Sequence, residues 1–268
     1  MRSSRRPRFA GPRLNAGVGR HQAMIEVPSS AQNAAAFSPA VDDVFTRIAS
    51  RYDFMCDVFS LYAHRIWKNH IADRIANCPG VLHLDVASGT GDIPFRVLMR
   101  SRGIPERRII VSDLCPAMLG MAQAKLGAKN PLLEFRRLDA HDLSGVESGS
   151  VDIYSISFGM KILDRERVLS EAHRVLRPGG RFFCLEAARI PVAPIHSAYL
   201  TYMDWCLPTI ARLATGGDAS AYDYLLRGVH EFPDQAAFSL QIEQHGFLDV
   251  AHTNLTCGIV ALHEGVRQ

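Results

Sequence analysis

Between Val81 and Ala188 the chain alternates apolar runs with stretches of helical periodicity. The runs are VLHLDVA, RRIIVSDL, LLEFRRLDA, VDIYSISF and RFFCLEAA; the helical stretches are DIPFRVLMRSR, PAMLGMAQAKLGA and DRERVLSEAHRVL. Nothing else in the sequence constrains the fold as much. Parallel strands need long crossovers, and strands covered by helices on both faces read as near-continuous apolar segments. The predicted fold class is therefore α/β, a Rossmann-like parallel sheet with helices on both sides. Punctuation agrees with the pattern: Pro116 opens one helix, RPGG closes another, and Gly103 and Gly246 end two more.

The flanks break the rhythm. Residues 39–78 carry apolar residues at helical spacing (Val44, Ile48, Tyr52, Met55, Phe59, then Ile66, Ile71, Ile75) and predict two or three helices, the first capped near Ser38. Residues 189–232 hold two Pro-terminated aromatic segments, HSAYLTYMDWCLPTI and ASAYDYLLRGVHEF, and predict a helical insert over the C-terminal edge of the sheet. Together the two regions form the expected lid. PDQAAFSLQIEQHGF reads as a helix, and LDVAHTNLTCGIVALHEG as two strands turning near Asn254. Residues 1–38 are expected to be a disordered arm ahead of a single domain over 39–268. The first 25 residues hold six Arg and no acid, which suits a transit peptide, an arm, or translation upstream of a start at Met24. Without them the charge is close to balanced, which argues against a nucleic-acid partner. The six Cys lack C-x-x-C spacing and read as free thiols of a reducing, cytoplasmic setting, with no metal site.

VLHLDVASGTGD is a strand running into a glycine turn and a helix start, an arrangement that holds adenosine ligands. Pro94 stands where a dinucleotide fingerprint needs its third glycine, and a phosphate loop's Gly-Lys-Ser/Thr is missing. Asp92 after the turn also discourages a pyrophosphate. S-adenosylmethionine has no phosphate and carries a sulfonium and an ammonium, which suit Asp85 and Asp92. Asp113 ends the second strand and can accept both ribose hydroxyls; Asp139 and Ala140 end the third and face the adenine; Ser157 ends the fourth beside the methionine part. With Ala87, Gly89, Thr90 and Gly91 of the turn, and Leu114, these are the candidate cofactor residues.

The sequence from about residue 43 to 265 resembles the ubiquinone/menaquinone biosynthesis C-methyltransferases of UbiE type. The likeness lies in VFTRIASRYDFMCDVFSLYAHRIWK, LDVASGTGD, SISFG, HRVLRPGGRFFCLE, YDYL…PDQ and NLTCGIVALHEG. It implies a seven-stranded sheet with an antiparallel last strand. It also implies donor contacts at Thr90, Asp113, Asp139 (Asn in the family pattern), Ala140 and Ser157, and methyl transfer to a ring carbon of a prenylated hydroquinone. Five further positions depart from the pattern: Cys56 replaces an Asn, Leu61-Tyr62 follow Ser60 where the family reads Phe-Gly, and Lys161-Ile162 replace an Arg-Asn pair implicated in deprotonating the ring. Arg to Lys loses a planar fork, and Asn to Ile loses a hydrogen-bonding group.

Carbon methylation of a phenol needs alignment and a base. Tyr52, His64 and Lys161 are the candidate catalytic residues, with Asp53 also in reach; Arg65, Tyr202, Asp218 and Tyr222 are candidate acceptor contacts. His141, His173 and His196 read as surface or structural. The aromatic insert suits a hydrophobic acceptor, and such an acceptor would draw the protein to the surface of the inner membrane. A homodimer is left open. Three readings follow: a quinone-biosynthesis methyltransferase, a divergent relative acting on another aromatic or heteroaromatic compound such as an alkylquinolone, and a non-catalytic donor-binding subunit of a quinone-synthesis complex.

Overall fold

The computed structural model describes residues 45–47, 49–101, 107–215 and 228–268. The Arg-rich arm, the expected cap at Ser38, Gly103, Asp218 and Tyr222 lie outside them. Seven strands form one sheet: β1 Leu82–Val86, β2 Arg108–Ser112, β3 Leu133–Arg136, β4 Val151–Ser157, β5 Leu176–Ala187, β6 Phe247–Leu255 and β7 Val260–Arg267. Their order is β3-β2-β1-β4-β5-β7-β6. β1 to β5 run parallel, and β7 is antiparallel to both its neighbours. The alternating pattern thus yields the α/β sheet with an antiparallel last strand.

Side-chain alternation along the strands builds two cores. On one face Ile110, Tyr154, Ile156, Phe182 and Cys184 pack with Val168, Leu169 and Val175 of helix α5 (Arg165–Val175) and with Phe238 and Ile242 of α7 (Gln235–Gln244). On the other, Ile109, Val111, Ile153, Phe183 and Leu185 meet Trp67, Ile71 and Ile75 of α2 (Ala63–Ala76), Ile93 and Val97 of α3 (Asp92–Arg100), and Ala122 of α4 (Pro116–Leu126). Each fully buried side chain of this size stabilises by ~1.5–3 kcal/mol. The strand order reverses between β1 and β4, where open α/β sheets bind ligands beyond the strand ends.

Two local expectations change. The final turn lies at Thr256–Gly258 rather than at Asn254. It needs left-handed residues, and Gly258 (φ 90°) supplies one where a Cβ would meet Pro191 Cδ at 2.7 Å. The insert's first segment does not end at its proline: α6 runs Ala193–Thr215 through Pro208. Among the described residues no helix is long and apolar enough to cross a membrane.

Candidate active site

The turn after β1 owes its path to three positive-φ residues, Ala87 (49°), Gly89 (57°) and Gly91 (78°). The two glycines serve different ends. A Cβ on Gly91 would lie 2.8 Å from Leu126 Cδ1 and 3.0 Å from Ala122 Cβ, so this glycine lets α3 approach α4. Around Gly89 nothing lies within 4 Å of such a Cβ, so the chain leaves open space there. Asp113 fixes the turn from the end of β2: its Oδ2 accepts from Gly89 N (2.8 Å) and its Oδ1 from Cys115 N (2.9 Å).

A cavity opens at this point. Ala87, Gly89, Asp113, Leu114, Asp139, Ala140 and Ser157 line it, joined by Phe45, Met118, Leu138 and Ile162. Phe45, Met118 and Leu138 look like any core position in the sequence, whereas Ile162, a departure from the family pattern expected at the acceptor side, lines this cavity instead. Asp139 Oδ1 receives both the backbone N–H (2.9 Å) and the ring Nδ1 (2.8 Å) of His141, whose Nε2 accepts from Asp164 N (3.0 Å). His141 is thus structural. A carboxylate ending β2, an open glycine, and an apolar slot ending at Asp139–Ala140 fit an adenosine-bearing donor.

Tyr52, Ala87, Gly89, Ser157 and Phe158 are shared with a second cavity of about 620 Å³. Its walls are mostly apolar: Phe59, Leu61 and Trp67 from the N-terminal helices (α1 is Tyr52–Phe59), Tyr199, Tyr202 and Met203 from α6, and Ile259 and Val260 from the last hairpin. Burial pushes the Tyr199 hydroxyl up to about 12, with Tyr202 adding to the shift. Non-glycine residues with positive φ gather around this cavity: Leu61, Ala87, Phe158 and Thr256 all line it. Such strain clusters at functional sites. Tyr62 (φ 66°) stands where the related motif has Gly.

Two bases on the wall, His64 and Lys161, are each paired with an acid behind it. His64 Nε2 lies 2.8 Å from Asp57 Oδ1, and Arg65 bonds both Asp57 oxygens at 2.6 Å. The Arg65 and His64 contacts hold the Asp57 carboxyl below its ordinary value despite burial. An ionised carboxylate only accepts, so the bonded His64 nitrogen carries the proton. Among the described residues His64 Nδ1 is buried with no hydrogen-bond partner. Burial lowers the imidazole's pKa in spite of Asp57. Opposite in kind is Lys161, whose Nζ donates to Phe158 O and to Glu186 Oε1 (3.1 Å), while its backbone N–H reaches Glu186 Oε2 (3.1 Å). Both side chains are buried. Asp57 and Glu186 escaped sequence reading; an acid beside the His-Arg pair and one ending β5 were the available signals. Tyr52 lines both cavities, but the neighbouring Cys56 thiol and burial raise its pKa well above the ordinary value, so it holds its proton.

Other expected residues stand differently. Asp85 lines neither cavity: it lies beneath the turn, its carboxylate taken by Ser88 Oγ (2.6 Å) and Ser155 Oγ, and burial raises its pKa to about 7. Its place is to brace the loop. Gly91 faces α4, and Arg65 is committed to Asp57 outside the cavity. Thr90 lines the larger cavity, but its hydroxyl donates to Asp53 Oδ1 (2.6 Å). Asp92 does not present bare negative charge. Burial would raise its pKa, yet Lys68 (2.9 Å) and Lys125 (3.2 Å) hold it well below the ordinary carboxylate value.

The family model described as "ubiE/COQ5 methyltransferase family" matches residues 31–267. A rice (Oryza sativa subsp. japonica) protein named 2-methoxy-6-polyprenyl-1,4-benzoquinol methylase, mitochondrial, is 36% identical over 248 residues, covering 86% of this chain and 84% of that one. The ubiquinone/menaquinone biosynthesis C-methyltransferase UbiE of Brucella abortus (strain S19) is 39% identical over 230 residues, covering 84% of each. Among solved structures, a SAM-dependent methyltransferase of Thermotoga maritima, titled a possible histamine N-methyltransferase, superposes with a TM-score of 0.60 over 85% of this chain and 100% of that one; at 12% identity it shows the fold alone.

Proposed function

Because the chain belongs to the ubiE/COQ5 methyltransferase family, we propose that it methylates a ring carbon of a quinol or phenol bearing a hydrophobic tail, as in ubiquinone or menaquinone biosynthesis. S-adenosylmethionine supplies the electrophilic methyl group when bound. The observation that carries the reading is the pair of joined cavities: a small one edged by Asp113 and Asp139 opens past Ala87, Gly89 and Ser157 into an apolar one large enough for a substituted ring and the first part of a tail.

Each wall has a task in this reading. Asp113, held at the end of β2 by its bonds to Gly89 N and Cys115 N, receives the ribose hydroxyls. Asp139 and Ala140 hold the adenine edge, and Ala87, Gly89, Thr90, Leu114 and Ser157 complete the donor's surroundings. Neutral His64 takes the phenol proton at Nδ1, and Asp57 holds the ring in that tautomer and steadies the resulting cation. Lys161, fixed by Glu186, turns an N–H toward the acceptor oxygen as charge builds. Tyr52 and Tyr202 pack the ring. The tail leaves past Leu61, and exposed Leu61 (78%), Tyr62 (58%) and Ile66 (71%) touch the membrane surface where such acceptors dissolve.

The test is complementation of a strain lacking its quinone C-methyltransferase, read by quinone mass. Restored methylated quinone supports the reading. No rescue from a protein that binds S-adenosylhomocysteine tightly favours a second acceptor class, an alkylquinolone-like aromatic. One observation favours that alternative: the departures Cys56 and Lys161 both line the acceptor cavity.

A further inference from the structure

Beside the open glycine, one wall of the larger cavity is decided by a cluster that the sequence presents with the wrong sign. Asp92 at the loop end looks like a partner for a ligand cation. In the fold three cations surround it: Lys68 Nζ at 2.9 Å, Lys125 Nζ at 3.2 Å and Arg96 at 3.9 Å. Among the described residues, one other carboxylate joins this group: Asp53, which shares Lys125 at 2.6 Å. Three cations therefore face two carboxylates. Lys68 is buried, and among the described residues only one of its three N–H donors has an acceptor, Asp92 Oδ2. Lys68, Thr90, Asp92 and Gly89 line the same wall, so the free donors sit within one cavity of the open glycine. A buried ammonium with unused donors and a local excess of one positive charge calls for an anionic oxygen.

We propose that Lys68 binds the α-carboxylate of the methyl donor, making the Lys68–Asp92 pair the anchor of the donor's amino-acid end. This rests on the donor assigned through the family. The anchor fixes how far the donor reaches along the loop, and so where its sulfonium stands at the mouth shared by Ala87 and Ser157. Asp92 keeps Lys68 extended across the wall. Lys125, tied also to Asp53 and Thr90, joins the same cluster to α1.

The test uses three ligands in calorimetric titration: S-adenosylhomocysteine, its decarboxylated analogue, which keeps the amine, and methylthioadenosine, which lacks the whole amino-acid end. Lys68→Met is expected to weaken S-adenosylhomocysteine about 10- to 100-fold, the usual size of a lost charge-assisted bond. The same variant should bind the other two ligands within about twofold of wild type, and Lys68→Arg should restore part of the loss. Equal losses on all three ligands would make Lys68 a loop brace and overturn the proposal, as would no loss on any. Should the methionine variant unfold, Lys68→Gln carries the same titrations. A wild-type protein that binds no S-adenosylhomocysteine overturns the donor assignment as well; one that binds it but methylates no quinol overturns only the acceptor reading.

Discussion

Gly89 and Gly91 sit two residues apart in one turn, yet alanine at each is expected to fail in opposite ways. Both have positive φ, so a Cβ costs ~1–2 kcal/mol at either position. At Gly91 the new methyl also meets Leu126 Cδ1 at 2.8 Å and Ala122 Cβ at 3.0 Å, contacts that force α3 and α4 apart. Such overpacking adds ~1–3 kcal/mol. The Gly91→Ala total, roughly 2–5 kcal/mol, is a large part of a typical domain's stability of ~5–15 kcal/mol. At Gly89 the methyl meets no protein atom within 4 Å, so only the conformational cost falls on the fold. It projects instead into the cavity edged by Asp113, where the donor would lie. The same ~1–3 kcal/mol of crowding then appears as a roughly 5- to 150-fold weaker complex. Urea unfolding and calorimetric titration of S-adenosylhomocysteine separate the two effects. Gly89→Ala should lose affinity with a modest stability change; Gly91→Ala should lose stability first. A Gly89→Ala protein that binds as tightly as wild type would show that the donor does not cross this glycine.

Asp113→Ala should weaken S-adenosylhomocysteine by about tenfold or more, since it removes the ribose acceptor and frees the N–H groups of Gly89 and Cys115; unchanged affinity refutes the ribose placement. His64→Ala should lower kcat by about 10²–10⁴ with donor affinity intact. Because burial lowers the His64 pKa, the wild-type rate should persist as pH falls past about 6.5 and drop only below it; a full rate in His64→Ala would remove it from the mechanism. Asp85 has its folded pKa raised to about 7, so between about pH 4 and 7 the native state holds a proton that the unfolded chain has released. Its contribution to stability is therefore lost as pH rises through that window, and Asp85→Asn should flatten the fall; identical pH profiles of melting temperature would contradict the buried position.

Much of this was legible from sequence. Near-continuous apolar runs with helical stretches between them dictate a parallel sheet covered on both faces, because only that arrangement buries both sets of side chains. The ends of its strands then bring Gly89, Asp113, Asp139 and Ser157 together, since chain order and strand direction suffice to place them. The acid–base pairs were not legible in the same way. Asp57 meets His64 because the chain turns back through Leu61 and Tyr62, both left-handed, with Tyr62 N bonded to Asp57 O at 2.8 Å. Glu186 meets Lys161 because β4 and β5 end side by side.

The sequence by itself determined the layer order and the ligand edge of the sheet, which follow from local periodicity and connection length. Only the tertiary structure decided the sign and partners of each charge. Asp85, read as a ligand contact, is buried and braced by two serines. Asp92, read as a partner for the donor's cationic groups, is outnumbered by Lys68, Lys125 and Arg96. A residue's type fixes its own charge, but the field at a site is the sum over neighbours that come from helices far apart in the chain, and burial sets how strongly each one counts.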